Sequence, residues 1–257
     1  MASIQHRTRA LLAAGVVAVV AFGASGCGSA NADEAPVEKK SFVFSGKTLT
    51  IDSDNSDIEL VPADVKDVQV TRQVDGWVVF GQGPDPVWKL EDGTLTLRVE
   101  CDAVSSDCES RHTVKVPHGV AVTVEDDNGS VTASGFDTAL KITSDNGRVR
   151  VKDSSGPLDL DSGNGEVVTE GVSAKSVVAA SDNGSVRLGL VAVPERVETV
   201  SDNGEILIEL PGAGAPYAVA ARSDNGEVDV DVPTDDNSAH VVRARSDNGK
   251  VTVRTVN

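Results

Sequence analysis

The stretch Val177-Val178-Ala179-Ala180-Ser181-Asp182-Asn183-Gly184-Ser185-Val186-Arg187-Leu188 decides the architecture. Every second residue before Ser181 is apolar, a Ser-Asp-Asn-Gly corner follows, and alternation resumes at Val186. Period-two alternation on both sides of a glycine-bearing corner reads as strand, turn, strand. The same tetrapeptide ends at Gly147, Gly184, Gly204, Gly226 and Gly249. Near-copies are Ser53-Asp54-Asn55-Ser56, Asp126-Asp127-Asn128-Gly129 and Ser162-Gly163-Asn164-Gly165. From Gly129 onward the corner glycines are 18, 18, 19, 20, 22 and 23 residues apart. Self-similarity at such a period marks a repeat architecture.

Aligning the corners on Asn55, Asn128, Asn146, Asn164, Asn183, Asn203, Asn225 and Asn248 shows what the repeat buries. Six residues before them stand Leu49, Val122, Leu140, Leu158, Val177, Val197, Val219 and Val242. Three after them stand Ile58, Val131, Val149, Val167, Val186, Ile206, Val228 and Val251. Two all-β folds satisfy this pattern. In one, every Asn-Gly is a two-residue turn and the chain is a large antiparallel meander of hairpins. In the other, the chain turns a corner and winds on, so that repeats of 18–23 residues stack as rungs of a β-solenoid, a β-helix-like stack. Recurrence of Ser and Asn, and not of Asn-Gly alone, favours the solenoid. Stacked copies would align into ladders, each inward-pointing Asn amide bonding the copies above and below.

The first 26 residues read as an export signal outside the fold. Arg7 and Arg9 precede the 13-residue apolar run Ala10–Phe22, short for a bilayer span but suited to a secretory signal. Gly23-Ala24-Ser25-Gly26-Cys27 then resembles a lipobox, in which the Cys is lipidated and becomes the mature N-terminus; Ala24 stands where Leu is usual. Residues 27–40 read as a polar tether and residues 41–257 as the β-repeat domain. With lipid on Cys27, Cys101 and Cys108 remain, an even pair suited to a disulfide in an exported protein. The expected place is the outer face of the bacterial cell membrane.

Ser-Asp-Asn-Gly-x-Val repeats behind such a signal resemble the bacterial DUF4097 family of β-strand-repeat proteins, which carries an adhesin label. Val116-Pro117 leading into Val122-Thr123-Val124 is similar to that family as well. The resemblance covers about residues 41–257 and implies a β-solenoid-like fold and an envelope location. It supplies no catalytic residues.

The corners at Asn55 and Asn128 are 73 residues apart, so the stack is interrupted or disguised between them. Residues 61–121 keep strand-like alternation and are expected to form two or three degenerate rungs. They hold Trp77, Phe80 and Trp88 around the loop Gly81–Pro86. These aromatics are either a ligand-contacting surface or a plug for the end of the solenoid. Toward the C-terminus the second corner lengthens, from six residues at Ser134–Ala139 to eleven at Asp231–Val241. That reads as a narrowing core with longer surface loops.

A formal charge of −17 over 257 residues argues against nucleic-acid partners, because phosphate contacts need clustered Lys and Arg. No Gly-x-Ser-x-Gly elbow is present, and His112, His118 and His240 have no metal-ligand spacing. A non-enzymatic role is expected, with a polysaccharide-acting enzyme the remote alternative by fold analogy. Asp145, Asp182, Asp202, Asp224 and Asp247 precede corner Asn residues. Stacked, they would line a solvent edge, relieved in part by Arg148 and Lys250 and able to hold calcium weakly; no other cofactor is expected. The partner would be the membrane, through the anchor, and a protein or glycan of the envelope or exterior. An adhesin and a structural or regulatory envelope protein both fit.

Overall fold

The computed structural model describes residues 30–212 and 216–256, so the export signal and Cys27 lie outside the described residues. Among those described, nineteen strands share one continuous sheet. β1 (Glu38–Phe42) leads to the first rung, β2 (Thr48–Ser53) and β3 (Ser56–Ala63). Two long strands follow, β4 (Val68–Glu91) and β5 (Thr94–Pro117). Then come β6 (Ala121–Asp126) with β7 (Val131–Ser134), β8 (Leu140–Ser144) with β9 (Val149–Lys152), and β10 (Leu158–Ser162) with β11 (Val167–Val172). Next are β12 (Ser176–Ser181) with β13 (Val186–Leu190) and β14 (Arg196–Ser201) with β15 (Ile206–Pro211). The last are β16 (Ala218–Ser223) with β17 (Val228–Asp231) and β18 (Val241–Ser246) with β19 (Val251–Val256).

Pairing runs between rungs, parallel and in register. Leu158 is level with Leu140 on one side and Val177 on the other, and Val167 with Val149 and Val186. The alignment on Asn is therefore the alignment of the stack, and the fold is the solenoid-like one. Antiparallel pairing among the described strands is confined to β1–β4 and β4–β5. The two strands of each rung enclose the core between them: Leu140, Ile142, Val149 and Val151 are at most 1% exposed.

The corners explain the repeat chemically. Alternation ends at the buried Ser, whose hydroxyl serves two rungs: Ser181 Oγ accepts from Gly184 N–H at 2.8 Å and donates to Gly165 O of the preceding rung at 2.9 Å. The Asn side chains do form a ladder, from Asn128 Nδ2 to Asn55 Oδ1 at 2.9 Å through to Asn225 on Asn248 at 2.9 Å. They stand on the exposed rim and not inside, because the chain leaves the extended conformation at Asp-Asn-Gly and the inward parity stops at Ser. The corner glycines have no left-handed backbone. A Cβ on Gly147, Gly165, Gly184 or Gly204 would instead lie 1.7–2.0 Å from the corner carbonyl oxygen of the rung before. Only glycine lets neighbouring corners approach at strand spacing. At the first rung Ser56 takes the glycine place, and its outer neighbour there is the Ser110 hydroxyl of β5.

Sequence order and stacking order differ at both ends. β18 lies between β14 and β16, and β19 between β15 and β17, so the last rung is inserted before the seventh. The ladders follow space: Ser246 Oγ bonds Gly204 O and Ser223 Oγ bonds Gly249 O. The chain thus passes over one rung's place between β15 and β16 and turns back to it between β17 and β18, which is why these two connections are longer than those of the regular rungs. At the other end β5 lies outside β2 and β3 although it precedes β6. Residues 61–121 supply one degenerate rung, β5, and an antiparallel partner for it, where two or three rungs were expected.

One corner breaks the Ser rule. Asp126 takes the place of Ser, is 4% exposed, and accepts from Gly129 N–H through Oδ2 at 2.6 Å. Its Oδ1 and the level Ser53 Oγ are buried without hydrogen-bond partners. Burial, with Asp127 and Asp54 nearby, pushes the carboxyl up to about 7, although the Ser53 hydroxyl beside it and the Gly129 N–H oppose this. A carboxyl raised in the folded state favours folding fully below its unfolded value near 3.8 and loses that contribution as pH rises through about 7. Asp126→Ser should therefore raise stability by about 2 kcal/mol at pH 8, with the gain vanishing toward pH 4, as read by denaturant titration at both pH values. Gly165→Ala should cost about 3 kcal/mol by the same measurement. Asn183→Ala, which removes two rim bonds, should cost about 1 kcal/mol.

Candidate contact site

The degenerate rung has no Ser-Asp-Asn-Gly corner. Leu97 is level with Ser53 and Ser110 with Ser56, so residues 98–109 bridge a gap that Asp54 and Asn55 bridge in the next rung. The surplus leaves the stack as a finger. β4 follows it as the outer strand, with Gln73 level with Arg111, Asp75 with Glu109, Trp77 with Asp107 and Val79 with Ser105. A disulfide joins Cys101 to Cys108, holding the two arms of β5 at a Cα separation of 6.7 Å. β4 and β5 are connected at Asp92-Gly93, both left-handed (φ 49° and 82°). This is a two-residue hairpin of the kind the repeat corners are not.

The N-terminal segment is clamped along the finger. Ala30 N–H donates to Asp107 Oδ2 at 2.9 Å, Asn31 N–H to Asp75 Oδ2 at 2.8 Å, and Ala32 N–H to Glu109 Oε2 at 3.2 Å. Gln73 Nε2 donates to the carbonyls of Asp33 and Ala35, and Arg111 pairs with Asp33. Ala32 is fully buried, and β1 pairs with β4. Residues 30–40 are thus part of the domain and not a free tether, since carboxylates far along the chain satisfy their amides.

The three aromatics separate. Phe80 is 89% exposed, Val79 42% and Trp77 38%, all on the outer strand of the finger. Residues 76–84, Gly-Trp-Val-Val-Phe-Gly-Gln-Gly-Pro, carry no charged side chain. Phe80 has φ 54°, a left-handed conformation unfavourable for a bulky side chain, and its exposure leaves little packing to offset that. Trp88 instead belongs to the end plug. The Arg72 guanidinium lies 3.9 Å from its ring centroid and Phe42 meets it edge-on at 6.3 Å. Arg72 also donates to Glu38 at 2.6 Å and to Pro86 O at 3.2 Å. Beside it His112 is fully buried, and burial followed by the Arg72 charge holds its imidazole down to about 4, hence neutral at pH 7.

The rest of the surface is charged and predominantly acidic, with cross-rung pairs such as Lys141–Asp159 at 3.0 Å and Arg243–Glu198 at 2.7 Å. A groove of about 570 Å³ over β14, β18 and β16 exposes Val200 and Ala220, and Glu198, Arg243 and Arg245 on its walls are already paired. The Asp row does face solvent. Arg245, at 3.5 Å from Asp224 and 3.0 Å from Asp247, relieves it, whereas Arg148 pairs with Glu166. Among the described residues no three His, Cys, Asp or Glu side chains are grouped to hold a metal ion.

The disulfide closes a short loop remote from the core, so its removal should loosen the finger and spare the stack. Cys101→Ser with Cys108→Ser should give faster proteolytic cleavage within residues 77–83 and lose about 2 kcal/mol or less of global stability.

Comparison with known proteins agrees with this architecture. No curated protein matches the chain. A Bacteroides fragilis protein described as a putative adhesin superposes with a TM-score of 0.55 at 16% identity, covering 86% of this chain and 97% of its own. A Parabacteroides distasonis protein, likewise described as a putative adhesin, gives 0.53 at 13% identity, covering 87% and 98%. At these identities the likeness is one of fold. The family model described as Toastrack DUF4097 matches residues 45–256, nearly the whole of the stack, and the chain belongs to that family.

Proposed function

We propose that the chain is an exported, membrane-anchored, non-enzymatic binding module of the bacterial cell surface, held by lipid on Cys27. The observation that carries this reading is the finger. A strongly acidic scaffold presents an uncharged, aromatic tip to the outside and braces it with a disulfide and a clamped N-terminal segment. Rigid presentation of exposed aromatics is what a contact surface requires. The adhesin descriptions of structural relatives agree with a surface role.

A second reading, a structural or regulatory protein of the envelope, draws on the clamp itself. Residues 30–35 fix the domain close to its anchor, whereas an adhesin gains from reach. Anchoring is tested by partition: wild-type protein should enter the detergent phase and Cys27→Ser should remain aqueous or unprocessed. Unchanged partition of Cys27→Ser would count against the lipoprotein reading. The two roles separate in cells lacking the protein. Reduced attachment to glycan- or protein-coated surfaces supports adhesion, and unchanged attachment with altered envelope integrity supports the second reading.

A further inference from the structure

The clamped segment runs in a definite direction. Ala35 and Asp33 lie against Gln73, Asn31 against Asp75, and Ala30 against Asp107, which is level with Trp77. Going back toward the N-terminus, the chain climbs the finger toward its tip. Cys27 precedes Ala30 by three residues, which span at most about 11 Å. Phe80 is likewise three residues beyond Trp77, a rise of about 10 Å along a strand. The bilayer that holds Cys27 therefore comes within about 11 Å of Ala30, which is bonded to the residue level with Trp77.

We propose that the tip residues Trp77, Val79 and Phe80 enter the headgroup region of the lipid bilayer that holds Cys27. The inference rests on the anchored reading above and names the partner of the same finger. Trp at the membrane–water interface places an apolar ring and a polar N–H where each is solvated, and Phe and Val add apolar area. A lipid alone would leave the domain free to swivel. Lipid and tip together give two attachment points and fix its orientation. The flanks Asp75, Asp107 and Glu109 already accept backbone N–H groups from the clamped segment, and their charge gives anionic lipids no advantage. Insertion is thus driven by the uncharged tip and does not call for a negatively charged surface.

The test uses the full-length lipidated protein in phosphatidylcholine vesicles with brominated acyl chains, with and without phosphatidylglycerol. Trp88→Phe leaves Trp77 as the reporter, and Trp77→Phe leaves the plugged Trp88. Bromine should quench Trp77 emission about twofold in both lipid mixtures and leave Trp88 nearly unchanged. Phe80→Ser, with an unaltered melting curve, should reduce the quenching while the protein still floats with the vesicles. Protein that floats with unquenched Trp77 would overturn the proposal and leave anchoring intact. Protein whose mature Cys27 carries no lipid and which fails to float would overturn anchoring, and the proposal with it. A Trp88→Phe protein that misfolds is replaced by the Phe80→Ser comparison on the wild-type background, where the same loss of quenching is required.

Discussion

Everything in this molecule depends on how closely one corner carbonyl can approach the corner above it. The spacing of paired strands is fixed by backbone hydrogen bonds at about 4.8 Å, and a corner must keep that spacing or the sheet cannot continue. With the Gly147 carbonyl standing where a Cβ of Gly165 would be, a side chain at this position would pry the rungs apart. The buried Ser hydroxyl then ties the carbonyl to the next rung, and the rim Asn amide repeats the tie outside. Sequence identity among the corners is thus a geometric demand, while the residues between them need only be apolar or polar by turn.

The same demand accounts for the departures. Where no corner lies beyond, at the first rung, Ser replaces Gly without a clash. Where the rung has no corner at all, the chain is released to make a twelve-residue excursion, and that release creates the finger. The end of the stack also needs cover, supplied by β1, β4 and the Arg72–Trp88 stack over the core. Site and fold are therefore coupled: the projecting aromatics exist because the repeat stops there.

Much of this was legible in the sequence. Registering eight corners on Asn aligned Leu140 with Leu158 and Val177 because parallel pairing keeps equal offsets from a shared corner. Stacking order was not legible, since rungs built to the same rule carry nothing that says which neighbour each prefers. The inward Asn was an extrapolation of strand parity through residues that are no longer strand. Asp92-Gly93 between alternating segments was the available hairpin signal, overshadowed by the many Asn-Gly pairs. Trp77 and Trp88 could not be told apart because their fates depend on Arg72 and Phe42, contacts that no local pattern encodes. The docking of residues 30–35 depends on carboxylates up to 77 residues away and was equally silent.

The inserted last rung has a consequence for how the chain reaches its final form. β16 and β17 find their sheet partners only in β18 and β19, which follow them. A chain emerging from its N-terminus can add rung upon rung as far as β15, but the next thirty or so residues must wait, unpaired, for the final strands to wedge beneath them. β18 and β19 thus act as a keystone: until they arrive, β14 and β15 present bare edges and β16 and β17 have no strand to pair with.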